Sequence, residues 1–174
     1  GKLISRLAIE DEKIKIVSAL DIENIGKKLD EIVPSSKKCE IIIKDVRNLK
    51  KVIDETNPDV AVDFTLAPAT KVNCPILLKN NIRCVIGTTG LNEEFINKIE
   101  KLVKEHKAPT VLSPNMSTGM NVFFELTKLV ARYLSDWDIE IIETHHHRKQ
   151  DSPSGTALKI GQQIAKELGV PFED

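Results

Sequence analysis

The sequence predicts an α/β fold, a doubly wound parallel sheet followed by part of a second, α+β domain. Three observations carry that prediction. Short β-branched runs alternate with longer amphipathic stretches along most of the chain. Runs such as Val60-Ala61-Val62 are almost continuously apolar, as strands buried on both faces are. Near Asp138 the alternation changes character, and the segment from Trp137 to Ile142 reads as a strand able to begin another sheet.

Taken in order, residues 1–7 read as a helix with no strand ahead of it. Residues 14–20 form the first strand, ending at Asp21, and residues 25–32 a short helix. A strand over 40–43 leads to a helix over 46–56, which Asn57-Pro58 ends. The next strand, 60–64, precedes a helix over 68–80 in which Pro75 should cause a break or bend. After a strand over 83–86, residues 92–106 read as a helix. Asn92 is its N-cap, and Glu93-Glu94 in the first turn suit the helix dipole. A strand over 110–112, a helix over 119–134 and a strand over 138–144 follow. The last helix, 154–168, is stopped by Gly169 and Pro171. The domain boundary is expected between residues 115 and 116, giving domains of 1–115 and 116–174.

Composition narrows the function classes. Apolar residues at 41% and charged residues at 29% describe an ordinary globular chain that needs no staple to bury a core. The net charge of −1 supplies no global field for nucleic acid or an acidic membrane, so an anionic ligand must be held locally. Cys39, Cys74 and Cys84 form no CxxC pair, which points to a reducing cytoplasm rather than to a disulfide framework. No run approaches the roughly 18 apolar residues of a membrane span.

Ligands of open parallel sheets gather beyond the carboxyl ends of the strands. Three such ends stand out: Asp63-Phe64-Thr65, Gly87-Thr88-Thr89-Gly90, and Ser113-Pro114-Asn115-Met116-Ser117-Thr118-Gly119. The glycines permit close backbone approach, the threonines offer hydroxyls, and the Asn115 amide suits a carboxamide such as that of nicotinamide. Each is equally well a turn before a helix. Asp21 lies about 20 residues after Gly1, the separation of a dinucleotide fingerprint's last glycines from its ribose-binding acid.

The richest stretch is residues 143–156. His145, His146, His147, Arg148 and Lys149 can all carry positive charge, and Ser154-Gly155-Thr156 opens a helix whose free N–H groups favour an anion. Two adjacent anion sites suit a small dicarboxylate, and histidine and lysine add proton-transfer groups. A solvated basic loop is the bland alternative. A metal site on His145, His147 and Glu143 is disfavoured by the neighbouring cations, so no metal is expected. A serine hydrolase lacks its GxSxG elbow.

These segments together resemble the 4-hydroxy-tetrahydrodipicolinate (dihydrodipicolinate) reductases of lysine and diaminopimelate biosynthesis. The most specific part is Asp151-Ser152-Pro153-Ser154-Gly155-Thr156-Ala157-Leu158. The resemblance covers essentially the whole chain. It implies a Rossmann-like first domain and the reduction of a small cyclic dicarboxylate by NADH or NADPH. His145 is implied as general acid/base and Lys149 as proton donor. His146, Gly155 and Thr156 are implied to bind substrate. Gly87, Thr88 and Thr89, with Ser113, Pro114, Asn115 and Met116, would lie along the cofactor, and Asp21 on its adenosine ribose. A homotetramer of the full-length protein is implied as well.

Three departures from the family pattern bear on this. His147-Arg148-Lys149 replaces the usual Arg-His-Lys order but keeps the lysine in place. Ile22 stands where an arginine often follows the acid, which tilts the cofactor toward NADH. The family's first strand, most of its glycine-rich turn and much of its second sheet have no counterpart here. The alternatives are a non-catalytic dicarboxylate-binding fragment and a metal-dependent hydrolase on the histidine cluster.

Overall fold

The computed structural model describes residues 1–145, 147 and 152–172. The chain divides into two compact units, Gly1–Leu112 and Ser113–Asp174.

The first unit is built from parallel strands with flanking helices, the expected α/β, Rossmann-like class. Its elements are α1 (Lys2–Glu10), β1 (Ala19–Asp21), α2 (Leu29–Ile32), β2 (Ile43–Asp45), a 3₁₀ turn (Val46–Asn48) and α3 (Leu49–Thr56). β3 (Val60–Asp63), α4 (Ala67–Lys79), β4 (Arg83–Ile86), α5 (Glu93–His106) and β5 (Thr110–Leu112) complete it. Two parallel sheets result, β1-β2 and β3-β4-β5. Registers Asp21↔Asp45 and Asp63↔Ile86↔Leu112 bring the carboxyl ends of each sheet level.

The larger core wraps β4. Ile86 and Leu78 are fully buried, and Leu49, Ile53, Leu77, Phe95, Ile99 and Leu102 converge from α3, α4 and α5. Leu20 of β1 packs against this cluster, while Leu29, Val33 and Ile43 make a smaller one under β1-β2. α1 buries no residue, and Leu3 and Leu7 lie exposed.

Several elements differ from expectation. β1 spans Ala19–Asp21 rather than 14–20, because only those residues find a ladder partner on β2. β2 likewise begins at Ile43 rather than residue 40. The helix over 25–32 shrinks to its last turn, since Asn24 and Gly26 take positive φ in the preceding turn. Pro75 does not break α4. Its missing N–H would have met the carbonyl of Lys71, a residue exposed to water, so the lost bond is satisfied by solvent. Val60 and Val62 are exposed rather than buried, because β3 is an edge strand with β4 as its sole neighbour among the described residues.

The second unit contains α6 (Thr118–Tyr133) and α7 (Gly155–Leu168), packed on each other and tied by Arg132 Nε donating to Glu167 Oε1 at 2.6 Å. Ser117 and Ser154 cap the two helices by accepting from Met120 N and Ala157 N. Gly169, with φ 67°, ends α7 in the left-handed conformation. The ring of Phe172 returns onto Gly161, occupying the space a side chain there would need. The expected strand over 138–144 is not formed. Its residues are exposed, and no described strand offers the backbone partners that extended chain requires. Among the described residues, this unit consists of helices. No described helix is long and apolar enough to cross a membrane.

Candidate active site

In the first unit the candidate residues lie at the carboxyl ends of the strands. Asp21 closes β1 and is exposed. Its Oδ1 accepts from Ile22 N at 2.7 Å and Glu23 N at 3.3 Å. Its Oδ2 takes none of the described hydrogen bonds, so it suits a ribose hydroxyl.

β4 runs directly into Gly87, Thr88, Thr89 and Gly90. Gly87 N donates to the Asp63 carbonyl at 2.9 Å, which ties this turn to the end of β3. A Cβ on Gly87 would stand 2.1 Å from Phe64 Cε1, so a side chain there would displace the Phe64 ring. Gly90 is needed for a different reason, its φ of +74°. Thr89 is exposed, but Thr88 is 5% exposed. Thr70 donates to the Thr88 hydroxyl at 2.8 Å, and Thr88 donates to Asp63 Oδ1 at 3.5 Å. The Thr88 side chain is thus spent inward, leaving its backbone for a ligand.

Asp63 is the centre of this network. Its Oδ1 also accepts from Thr65 N at 2.9 Å and from the Thr65 hydroxyl at 2.7 Å. Its Oδ2 is buried without a partner. The nearby Cys74 and Cys84 are free thiols buried in the core. The hydrogen bond that the Cys74 thiol donates to Cys84, burial and the charges of Cys84 and Asp63 all push the Cys74 thiol up, so it is no nucleophile. The strand-end pattern pointed to this loop. It did not reveal that Asp63, Thr70 and Phe64 organise it, because those contacts join residues distant in sequence.

In the second unit Ser113, Pro114 and Asn115 are partly buried and Met116 is exposed. The Asn115 amide is already engaged. Its Oδ1 accepts from Ser117 N at 2.9 Å, and its Nδ2 donates to Thr156 Oγ1 at 3.4 Å. This contact brings an expected cofactor residue onto an expected substrate residue.

Glu143 forms the second junction. Its Oε1 accepts from Ser154 N at 2.7 Å, and its Oε2 accepts from the Ser154 hydroxyl and lies 2.7 Å from His145 Nε2. The bonds from Ser154, then that from His145, hold the Glu143 carboxyl down at about 2, so it is ionised at neutral pH. Ser154 is buried, and its hydroxyl is consumed by Glu143 and by the α7 cap, which removes it as a nucleophile. The N–H groups of Gly155 and Thr156 make none of the described hydrogen bonds, so the start of α7 keeps donors for an anion. His147 is exposed. His146 and Lys149, assigned to substrate binding and proton donation, lie outside the described residues. Among those described, no three His, Cys, Asp or Glu side chains converge as metal ligands.

Family models for dihydrodipicolinate reductase match in two parts, the N-terminus over residues 1–116 and the C-terminus over 119–171. The first describes the nucleotide-binding domain of a pyridine-nucleotide-dependent reductase. The 4-hydroxy-tetrahydrodipicolinate reductase of Methanococcoides burtonii is 43% identical over 169 residues, covering 97% of this chain and 64% of that protein. That of Methanocaldococcus jannaschii is 40% identical over 172 residues, covering 98% of this chain and 63% of that protein. The dipicolinate-bound dihydrodipicolinate reductase of Paenisporosarcina sp. TG-14 superposes with a TM-score of 0.73 at 32% identity, over 100% of this chain and 65% of that one. The chain thus spans a little under two thirds of the relatives it matches. It belongs to the dihydrodipicolinate reductase family.

Proposed function

We propose that the protein of which this chain forms part reduces 4-hydroxy-tetrahydrodipicolinate to tetrahydrodipicolinate in lysine and diaminopimelate biosynthesis. One observation carries the reading. A single carboxylate, Glu143, holds both His145 and the residue that opens α7, so a proton-handling imidazole stands beside a helix start with free N–H donors. That pairing suits a carboxylated substrate that must exchange a proton. The dipicolinate held by the Paenisporosarcina enzyme is a cyclic dicarboxylate of this kind.

The cofactor, when bound, supplies the hydride, and residues of this chain fit it. Asp21 offers Oδ2 to the adenosine ribose. The backbones of Gly87 and Thr88 and the hydroxyl of Thr89 line the nicotinamide end, as do Ser113, Pro114, Asn115 and Met116. Ile22 after Asp21 provides no guanidinium for a 2′-phosphate, which favours NADH over NADPH. On the substrate, Gly155 and Thr156 hold one carboxylate and His146 assists. Lys149 delivers the proton that accompanies hydride, and His145 serves as general acid/base. Residues 1–115 are assigned to the nucleotide-binding domain and 116–174 to the substrate and tetramerisation domain. The homotetramer draws support from the apolar surface of the second unit, where Leu126, Tyr133, Trp137 and Ile142 lie exposed. We place the protein in the cytoplasm.

The sheet in two pieces favours a second reading for this chain alone, a dicarboxylate-binding module that does not retain cofactor. Calorimetric titration separates them. Binding of dipicolinate and of NADH supports the reductase, whereas dipicolinate binding without NADH binding supports the module. Binding of neither contradicts both.

A further inference from the structure

Glu143 is an oxygen-only hydrogen-bond acceptor once ionised, and three donors surround it. The backbone N–H of Ser154 donates to Oε1, while Oε2 accepts from the Ser154 hydroxyl and faces His145 Nε2 at 2.7 Å. A carboxylate cannot donate, so the 2.7 Å contact requires the proton to sit on Nε2. Glu143 and His145 are two residues apart in a segment without helix, which sets both side chains on one side of the chain. Ser154 in turn is fixed by its cap on Ala157 N, so the carboxylate is anchored to α7 before it meets the imidazole.

We propose that Glu143 is a positioning residue that holds His145 as its Nε2–H tautomer, making Nδ1 the ring atom through which His145 exchanges a proton with substrate. The proposal rests on the reading of His145 as the acid/base group and adds which atom acts and what sets it. It also explains why the carboxylate is shared with α7. The same group that aims the imidazole fixes the helix start where the substrate carboxylate would lie.

The test is ¹⁵N NMR of the His145 ring in the whole chain, which needs neither cofactor nor turnover. An unconstrained imidazole already leans toward Nε2–H, so the variants decide. In Glu143→Gln the side-chain oxygen keeps the bond from Ser154 N, which only an acceptor can make, so the amide NH₂ takes the place of Oε2 and faces the ring and the Ser154 hydroxyl. The ring must then accept at Nε2, and the proton moves to Nδ1. Ser154→Ala serves as the control, because it removes the hydroxyl that accepts from Ala157 N in the cap and lowers stability but leaves the carboxylate facing the ring. Its tautomer should match the wild type. In active enzyme, Glu143→Gln should lower kcat by roughly 10²-fold or more with NADH affinity unchanged. A wild-type ring protonated at Nδ1, an unmoved tautomer in Glu143→Gln, or an equal shift in Ser154→Ala would overturn the proposal. Reversal of the tautomer in a protein that reduces nothing would leave the positioning of the ring by Glu143 standing and sink the reading of His145 as acid/base group instead.

Discussion

Asp63 illustrates how much a single residue at a strand end can organise. Its Oδ1 gathers Thr65 and Thr88, and Thr70 bridges the two hydroxyls at 3.3 and 2.8 Å. Thr70→Val keeps the shape but removes the link, leaving buried polar groups short of a partner. It should cost about 1–3 kcal/mol in urea unfolding. No loss would mean that the hydroxyl chain does not steady the Gly87–Thr88 turn. At this scale the sequence was readable wherever a residue's role depends on near neighbours. Asn92 was expected as an N-cap, and its side chain accepts from Phe95 N. Gly169 was expected to end the last helix, and it does so. The threonine of the turn that buries itself, Thr88, could not be told from the one that stays exposed, Thr89. That choice depends on Thr70, eighteen residues away.

The capped helices α5 and α7 and the strands β3, β4 and β5 were legible to within a residue, whereas α2, β1, β2 and the segment 138–144 were not, and the reason is where each finds its hydrogen bonds. A helix satisfies its backbone internally, so caps and periodicity define it. α5 and α7 begin within a residue of expectation. A strand extends only as far as its neighbour, so β1 and β2 formed three residues each and 138–144 formed none. Local charge also governs the start of α7, where acid should act. The Glu143 carboxyl, near 4.5 when unfolded, is held at about 2 by Ser154 and His145. A folded-state value below the unfolded one stabilises above about 4.5, and that contribution disappears as pH falls through about 2. Hydrogen exchange at the Ala157 amide should therefore quicken across this window, and should lose that dependence in Glu143→Gln. A wild-type profile matching the variant would place the stabilisation elsewhere.

The expected site residues fall in both units, Asp21 and Gly87, Thr88 and Thr89 in the first, and Ser113, Pro114, Asn115, Met116, His145, Gly155 and Thr156 in the second. The fold class was readable because strand and helix patterns alternate. The division of the sheet into β1-β2 and β3-β4-β5 was not expected from the alternation alone, and the exposure of Val60 and Val62 follows from it. The histidine-rich run suggested proton and anion chemistry, and the junction at Glu143 shows how His145 is held. His146 and Lys149 lie outside the described residues, so the proposed assignment of proton donor rests on the family resemblance. Turnover tests it most directly: NADH consumption with 4-hydroxy-tetrahydrodipicolinate, compared between the wild type and Lys149→Ala. The account predicts substrate-dependent consumption that falls by roughly 10²-fold or more in the variant while NADH affinity holds. Equal rates in the two proteins, or no NADH consumed by the wild type, would contradict it.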